Sequence, residues 1–249
     1  MYGGAFPTLI AIITMFFTGT GLLWTQSLAS TLVLTGVIVL GVVITLTVSK
    51  LLSKTILKGM PSSFALELPP YRTPQVGKVI IRSILDRTLF VLGRAAAVAA
   101  PAGIIIWLMA NCHIGDISVL DYLSAALDPF GRAIGLDGVI LLAFILGLPA
   151  NEIVMPIMIM AYLSSGSMVE MDNLTQLHTL LVSNGWTWLT ALCTMLFSLV
   201  HFPCATTMLT IHKETGSLKW TSLAFLIPTV LGIALCFTVA TTVRLLGLV

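Results

Sequence analysis

Charge is what this sequence has least of. Asp, Glu, Lys and Arg make up 9% of its 249 residues, against about a quarter in soluble domains. A soluble catalytic domain has no room here, and a net charge of +2 gives no basic footprint for nucleic acid. Cysteine is scarce as well. Cys112, Cys193, Cys204 and Cys236 include no C-x-x-C pair, which excludes a disulfide framework and a zinc site built on close cysteine pairs. Cys193 and Cys236 sit in apolar runs and read as small hydrophobes, and Cys112, beside His113 at a segment end, reads as a loop residue. No Gly-rich phosphate loop ending in Lys-Ser/Thr occurs, nor an H-E-x-x-H or G-x-S-x-G motif, so the nucleotide-binding and hydrolytic chemistry of those motifs is absent. No nucleophile–base pair or paired carboxylates can be placed at depth either, and the chain does not read as an enzyme.

Apolar sequence fills the space instead. Hydrophobic residues account for 57% of the chain, and residues 27–49 form an uncharged run of the roughly 20 residues that a bilayer crossing requires. Further runs lie at about 6–24, 95–115, 139–163, 185–210 and 220–243. The first has no basic leader and no small-residue cleavage site, so it is not a signal peptide. These features predict an all-α integral membrane protein of about six hydrophobic segments, multi-pass in the cell (inner) membrane. Its boundaries read as 1–52 (two transmembrane helices), 53–94 (a connection) and 95–249 (a second membrane region).

Eight of the twelve basic residues (Lys50, Lys54, Lys58, Arg72, Lys78, Arg82, Arg87 and Arg94) fall around the connection at 53–94, and the positive-inside rule places it in the cytoplasm. Leu68–Pro74 is too proline-rich for helix, whereas 76–92 reads as an amphipathic helix lying along the membrane surface. After the third segment, Asp116, Asp121, Asp128 and Asp137 face a single Arg132, which argues for the outside. Residues 164–184 carry Glu170 and Asp172 with no Lys or Arg. That too argues for the outside, yet a full crossing at 139–163 puts them inside. Two half-helices meeting at Pro149 and forming a re-entrant hairpin remove the conflict.

Glu152 is the sharpest single signal. It stands in Gly-Leu-Pro-Ala-Asn-Glu-Ile-Val-Met-Pro (147–156), and residues 138–151 and 153–169 carry no charge. A carboxylate at that depth costs a few kcal/mol, so such residues pair, line cavities or handle ions. Gly147, Pro149 and Pro156 bracket it, and proline interrupts the helical ladder. Broken backbone is tolerated there only where protein or water covers it. Glu152 therefore reads as an ion ligand, with Asn151 either assisting or stabilising the unwound turn through its own side chain. A second constellation is His201-Phe202-Pro203-Cys204-Ala205-Thr206-Thr207, closing the uncharged run 185–200. On a helical path His201 and Cys204 point the same way. Carboxylate, imidazole and thiolate together suit a divalent first-row metal such as Fe²⁺, whereas Mg²⁺ takes oxygen alone. His201 has a plainer reading as well, since a histidine at a helix end often bonds a carbonyl. Two interrupted segments of this kind resemble the paired discontinuous helices that form midplane ion sites in transporters.

The same residues carry a family resemblance. The Leu-Pro-Pro-Tyr-Arg stretch at 68–72, Pro-Ala-Asn-Glu-Ile-Val-Met-Pro at 149–156, and Phe-Pro-Cys-Ala-Thr-Thr followed by Lys-Glu-Thr-Gly-Ser within 202–217 are similar to the C-terminal membrane half of ferrous iron transport protein B (FeoB). The resemblance implies a membrane core of Gate regions that moves Fe²⁺ inward, with 95–249 Gate-like. It implies Fe²⁺ as the transported ion with no resident cofactor, and it strengthens Cys204 among the candidate contacts Glu152, Cys204, Asn151 and His201 read from the residues above. The implied partners are the lipid bilayer, a separate polypeptide carrying the G domain and first Gate, and a small FeoA-like protein. Family members commonly carry a cysteine and an arginine just before the Phe-Pro that matches Phe6-Pro7; Tyr2 and Ala5 stand there instead. The expectation is a split or truncated half lacking one family ligand. Three functions remain open at this point: half of a ferrous iron permease, a non-conducting assembly or regulatory subunit, and a Gate-type transporter of another solute.

Overall fold

A bilayer leaves backbone amides and carbonyls only each other as partners, so apolar runs of this length fold as helices. The computed structural model describes residues 6–17, 23–55, 89–115, 117–164 and 173–247, together with Gly77, Ile81 and Gly166. The elements in chain order are α1 (Phe6–Phe16), α2 (Leu23–Lys54), α3 (Phe90–Asn111), the short strands β1 (His113–Ile114) and β2 (Ile117–Ser118), α4 (Val119–Ala133), α5 (Gly138–Leu146), a 3₁₀ turn (Asn151–Ile153), α6 (Val154–Leu163), α7 (Leu174–Ser183), α8 (Trp188–Val200), α9 (Ala205–Thr215) and α10 (Leu218–Leu245). Tyr2, Ala5, the proline-rich stretch 68–74 and most of the expected surface helix at 76–92 lie outside the described residues.

Among the described residues, three stretches are long and apolar enough to cross a membrane: Ser30–Lys54, Trp188–Thr215 and Leu218–Leu245. The other apolar runs form shorter helices among the described residues. Helix α1 has 11 residues, about 16 Å at 1.5 Å each, or half a bilayer. Helix α3 starts at Phe90, ahead of the expected 95. The run at 139–163 divides into α5 and α6, joined by a tight turn.

Those two helices fold back on each other. Asp137, at the start of α5, accepts a short hydrogen bond from the Tyr162 hydroxyl near the end of α6. At the other end Gly147 lies so close to Val154 that a Cβ would sit 2.4 Å from a Val154 methyl. The pair is thus a helical hairpin whose chain returns to the end it left. Asn111 Nδ2 also donates to the Gly166 carbonyl at 2.8 Å, joining the end of α3 to the segment after the hairpin. Asn111, Asp137, Tyr162 and Gly166 therefore share one end of the molecule.

The hairpin base is held by a polar chain in which Trp186 is buried and Tyr162 and Asp137 are half-buried. Trp186 Nε1 donates to the Tyr162 oxygen at 2.7 Å, Tyr162 donates to Asp137, and the other Asp137 oxygen caps α5 by accepting from Ile140 N at 2.7 Å. Deleting the hydroxyl in Tyr162→Phe leaves both the Trp186 N–H and one carboxylate oxygen short of a partner. At about 1–3 kcal/mol per orphaned buried group, the variant is expected to lose roughly 2 kcal/mol or more. Thermal unfolding in detergent measures this, and an unchanged Tm would show that the clasp contributes nothing.

A sharp corner presents the hairpin to the core. Helices α4 and α5 meet at 110°, and the turn runs through Gly135 at φ +79°, where L side chains are strained. The motif recurs further on. Gly185 takes φ +87°, and Thr187, standing as Asp137 does two residues after its glycine, caps α8 by accepting from Thr190 N at 3.3 Å. Each unit then continues as an apolar helix, a proline-containing break and another helix. The core lies where these units meet α1 and α10, with Ile12, Ile140, Met158, Leu181, Ala191, Cys193, Met195, Cys236 and Ala240 all sealed. Cys193 and Cys236 are free and fully buried, with the Cys236 thiol donating to the Cys193 carbonyl at 3.4 Å. Outward-facing side chains on α2 and α10, such as Leu32, Leu46 and Val230, suit hydrocarbon.

Orientation of the long helices follows from contacts at the hairpin base. Phe16 at the end of α1 rests on Trp186, ring centroids 5.9 Å apart. Arg244 near the end of α10 donates to the Arg132 carbonyl at 2.7 Å. Helix α8 starts beside Trp186, so α9 ends, and α10 begins, at the opposite end. Lys213 and Lys219 lie at that opposite end.

Candidate ion site at two helix breaks

Proline dictates the first break. Pro149 has no N–H to offer the Ile145 carbonyl, and Leu148 N reaches it instead at 3.3 Å in a tighter turn. Ala150 N bonds Gly147 O at 3.0 Å, after which Ile153 N bonds Ala150 O at 3.3 Å. Pro156 breaks nothing. It occupies the first turn of α6, where a missing N–H is tolerated, so the interruption centres on Leu148–Ala150 alone.

Pro203 makes the second break. Helix α8 stops at Val200, and His201 (ψ 176°) and Cys204 (ψ 160°) are both extended. The stretch between them is not helical, so the three-residue spacing does not align the two side chains as a helix would. Proline excludes the helical path there by removing a donor and biasing Phe202 to extended geometry.

The two breaks touch. Ala205 N, the first amide of α9, donates to the Leu148 carbonyl at the hairpin turn, 2.8 Å away. Each interruption thereby satisfies a backbone group that the other leaves free.

The candidate residues surround this junction with different exposures. Glu152, in the 3₁₀ turn, is exposed, and Asn151 is half-buried. Glu152 takes part in no ion pair among the described residues. Cys204 is half-buried at the N-terminus of α9, where the helix dipole is positive, with its sulfur 3.1 Å from Thr206 Oγ1 and 3.2 Å from Thr207 Oγ1. His201 ends α8, and its Nδ1 lies 2.9 Å from the Ser198 carbonyl. The described residues contain no ready-made cluster of three or more His, Cys, Asp or Glu side chains able to hold a metal. A cavity of about 170 Å³ opens elsewhere, at the hairpin base, among His113, Ser118, Asp121, Met160 and Ser164.

Sequence reading overlooked Asp137, Tyr162 and Trp186. Asp137 stands among the loop charges of the sequence, yet an aspartate just before an apolar run is a helix-capping signal. No local signal marks Tyr162 or Trp186, because their roles depend on contacts across the hairpin. Phe144 escaped for the same reason; its ring centroid lies 5.1 Å from the His201 imidazole.

Comparison with known proteins gives the family. Residues 34–86 match the model described as "Ferrous iron transport protein B C terminus", and residues 92–218, from α3 to the start of α10, match Gate, described as "Nucleoside recognition". The chain belongs to the FeoB family. Proteins named Fe(2+) transporter FeoB are similar to it: one from Staphylococcus aureus is 31% identical over 216 residues, covering 83% of this chain and 31% of its own. Another from Leptospira biflexa is 25% identical over 225 residues (84% and 32%), and one from Methanocaldococcus jannaschii is 27% identical over 195 residues (73% and 28%). This FeoB-family chain thus spans about a third of the length of the relatives it matches. Neither matched model is a GTPase domain. No solved structure matches the chain.

Proposed function

We propose that this chain forms part of the membrane core of a ferrous iron transporter and carries one face of the Fe²⁺ path at the junction of its two helix breaks. One observation carries the reading: the hydrogen bond from Ala205 N to Leu148 O. A core that only anchored the protein in lipid has no use for two prolines that interrupt apolar helices, or for locking the two interruptions together. An ion path does, because unwound backbone supplies carbonyls at membrane depth. Glu152 and Cys204 are the principal ion contacts of this proposal, Asn151 assists, and Cys204 disfavours an organic solute, which has no need of a thiol. The remaining two thirds of the relatives' length, on this or another polypeptide, supplies the other face and the G domain, and a small FeoA-like protein is a further partner.

Uptake measurements test this. Vesicles holding this chain together with the remaining FeoB segments are expected to accumulate Fe²⁺, and vesicles with this chain alone are not. Accumulation of nucleosides in place of Fe²⁺, or no transport by the complete assembly, overturns the reading.

The hairpin base faces the outside in this proposal and the Lys213 end faces the cytoplasm, following the positive-inside rule. Cys112 supplies a native reporter, because its thiol is exposed at the base end. A membrane-impermeant maleimide applied to intact cells is expected to label Cys112, with labelling lost in Cys112→Ser, and to leave a Ser62→Cys variant of the connection unlabelled when Cys112 is also replaced. Labelling of Cys112 only after permeabilisation would reverse the orientation.

A further inference from the structure

His201 contains a contradiction that packing does not resolve. Its Nδ1 lies 2.9 Å from the Ser198 carbonyl, and a carbonyl oxygen can only accept, so Nδ1 bears the proton. Nε2 is therefore a bare lone pair. It is buried and has no hydrogen-bond partner among the described residues. Aromatic rings wall it in: Phe144, Phe197 and Phe202 have centroids 5.1, 6.0 and 5.2 Å from the imidazole. An unpaired acceptor in such surroundings is destabilising, and a phenyl ring would fill the same space without that penalty.

A metal ligand has this configuration for a reason. Ligating histidines donate the ring N–H away from the metal to a carbonyl or carboxylate, which fixes the tautomer and aims the other nitrogen. His201 has that arrangement at the backbone break that contacts the hairpin turn. Glu152 is meanwhile exposed, so one ion cannot be held by an open carboxylate and a sealed imidazole without movement.

We propose that His201 is an occluded ligand for a divalent first-row cation of borderline softness: Nε2 joins the ion's shell only when the hairpin turn shifts and withdraws Phe144. This rests on the ion-site reading above and extends it, making nitrogen ligation a step that follows first contact at Glu152 and Cys204. An imidazole in the final shell favours Fe²⁺ and its neighbours over Mg²⁺ and Ca²⁺, which take oxygen ligands.

Co²⁺ serves as the probe, titrated into the full chain in lipid nanodiscs and followed by its d–d bands and its sulfur-to-cobalt charge-transfer band. His201→Phe is expected to weaken Co²⁺ binding tenfold or more, on the scale of losses at metal-site histidine shells, while keeping the charge-transfer band and leaving the Tm equal or higher. Phe144→Ala retains the imidazole and is expected to speed Co²⁺ entry several-fold with the same final spectrum. If His201→Phe binds Co²⁺ as the unmodified chain does while Cys204→Ser abolishes the charge-transfer band, the occluded-ligand proposal fails and the ion-site reading stands. If the unmodified chain binds no Co²⁺, both fail. A Phe144→Ala variant with unchanged entry rate overturns the gating step.

Discussion

Glu152→Gln is expected to reduce Fe²⁺ uptake tenfold or more in the assembled transporter while leaving the fold intact. Glutamine keeps the shape and one acceptor oxygen but removes the charge, and a lost direct ion contact should match or exceed the 10–100-fold effects seen even for outer-shell changes at metal sites. The fold should survive because Glu152 is exposed and joins no ion pair among the described residues. That same isolation makes the residue hard to explain structurally. A carboxylate flanked by more than a dozen uncharged residues on either side is costly at membrane depth and contributes nothing to packing. Uptake assays on vesicles matched for protein content decide the matter. Uptake equal to that of the unmodified protein would remove Glu152 from the ion path, whereas lost uptake with a lowered Tm would point to damage of the fold instead.

Gly138→Ala is expected to have the largest effect on stability of any single methyl addition in the described structure. A Cβ at that position would lie 1.8 Å from the Ser124 carbonyl oxygen and 2.8 Å from Asp128 N. Both are backbone atoms of α4, so no side chain can swing aside. The corner between α4 and α5 must open, which pulls Asp137 from Tyr162 and detaches the hairpin base. Overpacking of this kind costs about 3 kcal/mol or more, expected as a drop in Tm or a failure to accumulate folded protein. Gly103→Ala is the matched control, since nothing lies within 4 Å of its added methyl and alanine suits a helix better than glycine. Equal stability of the two variants would mean that the corner is pliable and the hairpin is not rigidly placed.

Some of this was legible in the linear sequence. The membrane character followed from composition, and the two breaks followed from Pro149 and Pro203, because a missing N–H and a displaced predecessor act on the chain locally. Glu152 stood out by contrast with its neighbours. The charge conflict over residues 164–184 pointed to a hairpin as one of two readings. Pro156 shows the limit of such reasoning: the same residue that breaks a helix in its interior is harmless in its first turn, and only the position of the helix start distinguishes the two.

Amino-acid order by itself determined where the chain favours helix, where a proline can break it and which chemistry-bearing side chains stand beside those prolines, since these depend on neighbouring residues alone. Pro101, Pro129 and Pro228 nonetheless stay inside helices. Tertiary structure alone decided that 139–163 doubles back, that Trp186, Tyr162 and Asp137 form its clasp, that one break bonds the other through Ala205 and Leu148, and that Nε2 of His201 is sealed behind Phe144. Each of these joins residues far apart in sequence through distance and direction in space. Apolar patterning records that a side is buried, but not against which partner, and a hydrogen bond formed across the fold leaves no mark in the periodicity of either segment.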